Sequence, residues 1–521
     1  MADAKKVFRL TNTQSGKREE FRPQDGRKVT FYSCGPTVYG PLHIGNARQL
    51  IFADWVFRWL KHIGYDVNFV RNYTDVDDKI IDRAAKEGVS SLQIAEQYIE
   101  YCETDIRALK LLPPTKTVRV TDTIPEIIAM IEQILERGHA YVVDGEVLFS
   151  IDSFPNYGKL SGKKTEDLLA GARVEVRSMK RNPLDFSLWK PRKKENTAEP
   201  FWPSPWGEGR PGWHIECSAM ASRWLGVTID LHHGGQDLVF PHHENEIAQS
   251  EAASGKLFCR HWIHHAFLTS GNEKMSKSLG NIFSIREFNT KFHPEVLKYM
   301  YLCFHFRSGV PFVKDTLSQV LGELERVYLA KRWAEKVIRE SAHVQKTANE
   351  SADHTAAWKA LLGRADSAFV GMQDELYADL NTPGALGHLF TLIREINRVE
   401  ATAAGKPGAE APLNATRTTV AQEFLNFLER RLVPLWNVFN EPSEAFLKTI
   451  DSLRLTVKEV FDGADASAQV DAAEIEKLIA ERNAARASKN FARADEIRKL
   501  LDAQGIVLVD GAGGTSWKHK T

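Results

Sequence analysis

A chain of 521 residues, 43% hydrophobic, 26% charged and 10% aromatic, has the composition of an ordinary folded protein with about three or four domains. Its 68 basic and 68 acidic side chains cancel, which excludes a general electrostatic grip on polyanions and leaves only local patches for any nucleic acid. No apolar run reaches membrane-spanning length, MADAKKVFRLTN lacks a signal-peptide core, and five scattered cysteines are the usage of a reducing compartment, so a cytoplasmic enzyme is the expected class.

Residues 28–72 have a β-α-β outline. RKVTFYSC reads as an apolar strand ending at Cys34, GPTVYGPLHIGNA as a loop, RQLIFADWVFRWLKHIG as a helix stopped by Gly64, and YDVNFVRN as a second strand. This is the opening of a parallel, doubly wound α/β sheet, in which ligands sit beyond the strand carboxyl ends. Residues 1–115 are its expected first half. Residues 116–205, with the helix IPEIIAMIEQILERG, short strands around YVVDGEVLFSI and a charged, proline-rich stretch, read as an insertion splitting the fold. VTIDLHH returns the chain to the sheet, giving a second half at 206–270. A loop region follows at 271–320, an α-helical bundle at 321–465 and a small unit at 466–521. In that last unit Ile475, Leu478 and Ile479 form one apolar face, Phe491, Ala494, Ile497 and Leu501 another, and GIVLVDG is a closing strand.

Three stretches carry chemistry. In HIGN, Gly45 allows close backbone approach to a ligand, and His43 and Asn46 are donors at a helix N-terminus, a place that favours anions. The bland reading is a surface histidine. In KMSKS, Lys274 and Lys277 stand in a loop rich in glycine and asparagine, where two ammonium groups suit a triphosphate; a solvated basic loop is the alternative. In PHHENEIAQS, His242 and Glu246 share a helical face and suit a divalent metal, with His243 turned about 100° away. A polar helix start explains the same residues equally simply.

HIGN followed by KMSKS resembles the paired signatures H-I-G-H and K-M-S-K-S of class I aminoacyl-tRNA synthetases. CGPTVYGPLHIGNAR, RNYTDVDDKI, RNPLDFSLWK, WPSPWGEGRPGWHIECSAM, GGQDLVFPHHENEIAQSEA and DLNTPGAL, in that order, are similar to blocks of the cysteinyl-tRNA synthetase family. The resemblance covers nearly the whole chain, with one departure: Asn46 stands where the signature has its second histidine.

The resemblance implies a Rossmann-like core split by a connective insertion, a helical bundle and an anticodon-binding unit. It implies one Zn2+ per chain on Cys34, Cys217, His242 and Glu246, with His243 left to an outer or pocket role. It further implies attack of the cysteine carboxylate on the α-phosphate of Mg2+-bound ATP, then transfer to the 3′-terminal adenosine of tRNA(Cys). His43, Asn46, Lys274 and Lys277 would meet the phosphates, with Gly45 and Asp237 contributing to ATP binding. Thr74 and Trp213 would line the L-cysteine pocket, and Arg486, Phe491, Asp495 and Asp510 would read the anticodon. A thiophilic metal would separate cysteine from serine, which a pocket of fixed size cannot exclude by shape. The family implies a monomer with no membrane attachment. Two competing readings are a cysteine:small-amine ligase of the mycothiol-pathway type, which lacks the C-terminal unit, and a non-catalytic RNA-binding descendant.

Overall fold

The computed structural model describes residues 6–162, 180–193, 195–270, 273–274, 283–342, 352–405, 410–462, 472–488, 490–503, 506–511 and 514–519. An N-terminal hairpin, β1 (Arg9–Asn12) and β2 (Lys17–Glu20), leads into the first core strand, β3 (Lys28–Ser33). The Ile44–His62 helix carries the chain to β4 (Asp66–Tyr73), and β5 (Lys116–Arg119) follows. After the insertion come β10 (Ile229–Gly235) and β11 (Cys259–His265). These five strands form one all-parallel sheet in the order β11-β10-β3-β4-β5. The chain leaves β3 for β4 on one side and reaches β10 on the other. The β3–β10 seam is therefore the switch point where the carboxyl ends open a crevice.

Strand alternation divides the apolar side chains between two cores. Phe31, Phe69, Leu231 and Ile263 point toward the Ile44–His62 helix and the helical bundle. Tyr32, Val70, Ile229 and Trp262 point the other way, toward the helices Ile124–Glu136, Trp213–Leu225 and Glu244–Ser254. Each face gains its stability mainly by removing apolar area from water.

The insertion forms a four-stranded antiparallel sheet, β6 (Ala140–Val143), β7 (Glu146–Phe149), β8 (Phe186–Pro191) and β9 (Gly209–Pro211). It starts later than expected. β5 pairs in parallel register with β4, and the Ile124–Glu136 helix covers the core sheet, so both belong to the nucleotide-binding half. Beyond β11, β12 (Leu268–Ser270) pairs with β13 (Glu273–Lys274) and with β14 (Val310–Pro311).

The bundle packs helices Lys314–Ser341, Arg364–Tyr377, Thr382–Ala404, Ala415–Phe427 and Ser443–Asp462, continuous with the core on the first face of the sheet. The C-terminal unit has its own core of Ile475, Ile479, Ile497, Leu501 and Ile506. It closes with a hairpin, β15 (Ile506–Gly511) and β16 (Gly514–His519), where one strand was expected. Phe491 is 62% exposed, which removes it from the expected apolar face. Among the described residues no helix is long and apolar enough to cross a membrane.

Candidate active site and metal centre

Four strand ends frame the site, two of them carrying the expected residues Cys34 and Thr74. Cys34 follows β3, Thr74 follows β4, Gly235 ends β10, and His265 ends β11. The crevice between them is a cleft of about 430 Å³ lined by Cys34, Tyr39, His43, Gly45, Asn46, Thr74, Lys79, Trp213, Cys217, Asp237 and His242 among others.

At its floor the thiol of Cys34 lies 3.8 Å from Cys217 Sγ, 3.3 Å from His243 Nε2 and 3.6 Å from Glu246 Oε1. Glu246 Oε1 is also 3.0 Å from His242 Nε2 and 3.8 Å from His243 Nε2. Donor atoms of Cys34, His242, His243 and Glu246 all fall within 4.8 Å of one another, and all four residues are buried. The group takes in three of the four expected ligands together with His243, while the fourth, Cys217, stands beside it at 3.8 Å from Cys34 Sγ. The helical-wheel reading compared His243 with His242 and placed them about 100° apart. Glu246 falls between them, about 40° from one and 60° from the other, so both rings flank the carboxylate. Regular helix begins only at Glu244, and non-helical backbone at Phe240 precedes the histidine pair. Gly234 makes room for the His243 ring, since a Cβ there would lie 2.5 Å from His243 Cε1.

Outer contacts fix these groups. His232 Nε2 lies 2.9 Å from Glu246 Oε2, His214 Nδ1 lies 3.0 Å from His242 Nδ1, and His264 Nε2 lies 2.7 Å from His243 Nδ1. Trp213 stacks on His242 with ring centroids 4.3 Å apart. The Cys34 thiol holds Cys217 down to about 6, against the effect of burial. Burial and the neighbouring Cys217 push Cys34 well up. Burial opposes ionisation of Glu246, yet the His232 and His242 charges draw it down to about 2. Two thiols, two imidazoles and a carboxylate in a dry floor fit a borderline-soft divalent ion such as zinc, because each is a zinc ligand type. His232, which meets the Glu246 carboxylate, and His264, which meets the His243 ring, carried no separate signal in the sequence beyond the density of histidine in LHHGG and IHH.

Along the opposite wall His43 caps the Ile44–His62 helix. Its Nδ1 accepts from Asn46 N at 3.2 Å, and Asn46 Oδ1 accepts from His43 N at 3.1 Å. This reciprocal capping box gives Asn46 a local role that the sequence comparison did not reveal. A Cβ on Gly45 would meet the His43 ring at 2.9 Å, so the glycine permits that cap. Thr74 is buried, and its Oγ1 accepts from Asn72 Nδ2 at 3.1 Å. Asp237 is exposed at the cleft edge.

Lys274 takes its backbone place in β13 opposite Thr269; its side chain and the whole of Lys277 lie outside the described residues. Far from the cleft in sequence, Arg486 ends the Ala472–Ala487 helix, while Phe491 and Asp495 lie one turn apart on the Phe491–Ala503 helix. All three are exposed. Asp510 lies in β15, and its side chain is outside the described residues.

The remaining feature of the PHHENEIAQS stretch is Glu244. Its buried carboxylate accepts from Gly158 N at 3.0 Å, Leu160 N at 3.1 Å and Ser161 N at 2.8 Å. Tyr157 donates to the adjacent Asn245. One carboxylate of the pair therefore faces the candidate metal-binding cluster, and the other ties the insertion to the same helix.

Residues 20–322 match the family described as tRNA synthetases class I (C) catalytic domain, and residues 372–432 match the DALR domain. The chain is 44% identical over 517 residues to the cysteine--tRNA ligase of Geobacter sulfurreducens, covering 99% of this chain and 100% of the relative. It is 42% identical over 508 residues to that of Caldicellulosiruptor saccharolyticus, covering 98% and 99%. In fold it is similar to Mycobacterium tuberculosis methionyl-tRNA synthetase solved with methionyl-adenylate, at TM-score 0.59 and 18% identity, covering 81% of this chain and 93% of that one.

Proposed function

The chain belongs to the class I cysteine–tRNA ligases, and on that premise we propose that its cleft selects L-cysteine on a zinc-bearing floor before joining it to tRNA(Cys). The family's activity is ATP-dependent attachment of an amino acid to tRNA, so ATP, amino acid and tRNA are its partners. The small-amine ligase is not favoured, because relatives that share nearly the full chain are tRNA ligases.

One observation carries the selective step: thiol, imidazole and carboxylate donors converge at the base of a cleft whose other wall is the N-terminus of the Ile44–His62 helix. Cys34, Cys217, His242 and Glu246, with His243, would hold Zn2+, which when bound supplies a soft Lewis acid that prefers sulfur to oxygen. Trp213 closes the floor above His242, and Thr74 bounds the amino-acid side. His43, held by its capping box, and the backbone amide of Gly45 would face the ATP phosphates, where the helix N-terminus favours negative charge. Lys274 and Lys277 would neutralise charge developing on the leaving pyrophosphate, with Mg2+ entering on ATP. Asp237 would accept from the ribose. Both reactants are held in one crevice, so the chain's contribution is positioning and charge stabilisation. At the far end, Phe491 offers an exposed stacking face, and Arg486, Asp495 and Asp510 offer polar groups for base edges. The reading places the chain in the cytoplasm as a monomer.

Cysteine-dependent exchange of pyrophosphate into ATP, followed by charging of tRNA(Cys), tests the reading. Both activities are expected. Exchange without charging would make it a small-amine ligase, and neither would make it a binding protein.

A further inference from the structure

The DLNTPGAL stretch is only partly explained by helix capping. Asn381 Oδ1 accepts from Gly384 N at 3.3 Å, and Pro383 stands in the first turn of the Thr382–Ala404 helix. Capping leaves Asp379 without a role. Asp379 and Leu380 both have left-handed backbone, φ 75° and 52°, which non-glycine residues avoid unless their surroundings hold them there. Asp379 is fully buried.

Its partners explain what holds it. The carboxylate accepts from Thr11 N at 2.6 Å, Thr11 Oγ1 at 2.7 Å and Arg307 Nη2 at 2.8 Å. The Asp379 carbonyl lies 3.0 Å from His305 Nε2, and its N–H donates to Arg9 O. The bundle thus grips the 305–308 turn. That turn is gripped again from the other side by Arg48, two residues beyond HIGN. Arg48 is buried, and burial pulls it down to about 10, so it remains a cation at neutral pH. Among the described residues it faces no carboxylate; it donates to five main-chain carbonyls, three of them in the turn, His305, Phe306 and Ser308. The other two are Ala266, at 2.5 Å, and Phe267, at 3.0 Å. Those two residues lead directly into β12, whose Thr269 pairs with Lys274, the first residue of KMSKS. Phe267 and Leu268 also line the cleft.

We propose that Asp379 and Arg48 are positioning residues that fix, through the 305–308 turn, where β12 delivers the KMSKS segment to ATP. Each link is a buried or charge-assisted hydrogen bond with one geometry, so a shift of the bundle moves β12 and, through its pairing with Lys274, the start of the second signature. The inference rests on the reading that KMSKS meets ATP. It gives Asp379 a function that reaches the chemistry without touching substrate.

The test measures cysteine-dependent pyrophosphate exchange in the full chain for Asp379→Asn, Arg307→Ala, Arg48→Lys and, as a reference, Lys277→Ala, with metal content and thermal melting recorded for each. Asp379→Asn and Arg307→Ala should each lower kcat about tenfold while leaving KM for cysteine and metal content unchanged. The double variant should be no slower than the slower single one, because both remove the same link. Arg48→Lys, with a charge but fewer donors, should fall between wild type and these. If Asp379→Asn fails to fold, Arg307→Ala, whose side chain is 46% exposed, carries the same prediction. Losses that raise KM for cysteine equally, or that follow the loss of folded protein, would overturn the inference. If Lys277→Ala slows exchange while the folded positioning variants do not, the inference fails alone; if Lys277→Ala has no effect, the ATP reading fails and takes the inference with it.

Discussion

Glu246 shows how one side chain organises the site. With one oxygen on His242 and the Cys34 thiol and the other on His232, it holds strand ends and helix to a single point. Cys217 tests whether that point selects substrate. Cys217→Ser should deplete metal and weaken cysteine binding at least tenfold while changing ATP binding little, measured by metal analysis and calorimetry. Equal loss of both would make the metal a structural one. Asn46→Ala should cost about 1 kcal/mol of stability through its broken capping box and raise KM for ATP in the exchange assay. Asn46→His should keep the ATP contact but lose the reciprocal cap. Much of this residue detail was readable in the sequence, because His242 and Glu246 are four apart and the cysteines stand in distinctive blocks. His243 was not: its role follows from its angle to Glu246, and the i, i+4 comparison with His242 concealed it.

At the scale of elements, the Glu244–Ser254 helix is held from two sides, by the side chains of the candidate metal site and by the insertion. Glu244→Ala should leave the amides of Gly158, Leu160 and Ser161 buried without acceptors, at about 1–3 kcal/mol for each. A drop in melting temperature accompanied by faster loss of metal to a chelator would show that the insertion steadies the metal helix. Melting without faster metal loss would limit Glu244 to folding. The β-α-β opening and the return strand were legible because their apolar runs are long and their loops are marked by glycine and proline. β5 was not, since KTVR is four residues long and buries only Val118. β16 was missed as well. GTSWKH lacks an apolar alternation, and pairing with β15, a tertiary fact, makes it a strand.

Over the whole molecule, the cleft and the C-terminal unit proposed to read the anticodon are built on separate cores. The C-terminal unit packs around its own apolar core of Ile475, Ile479, Ile497, Leu501 and Ile506, and its exposed Phe491 and Asp495 are not among the residues that line the cleft. Asp495→Ala should therefore impair charging of tRNA while leaving pyrophosphate exchange intact; unchanged charging would remove Asp495 from the anticodon contacts. Zero net charge is compatible with the proposed division, in which recognition would rest on local groups rather than on a basic surface. The most direct test of thiol selection is calorimetric titration of cysteine and serine into metal-stripped and zinc-restored protein. Zinc should restore tight binding of cysteine alone, with ATP affinity the same in both forms. Equal cysteine affinity without metal would contradict the account.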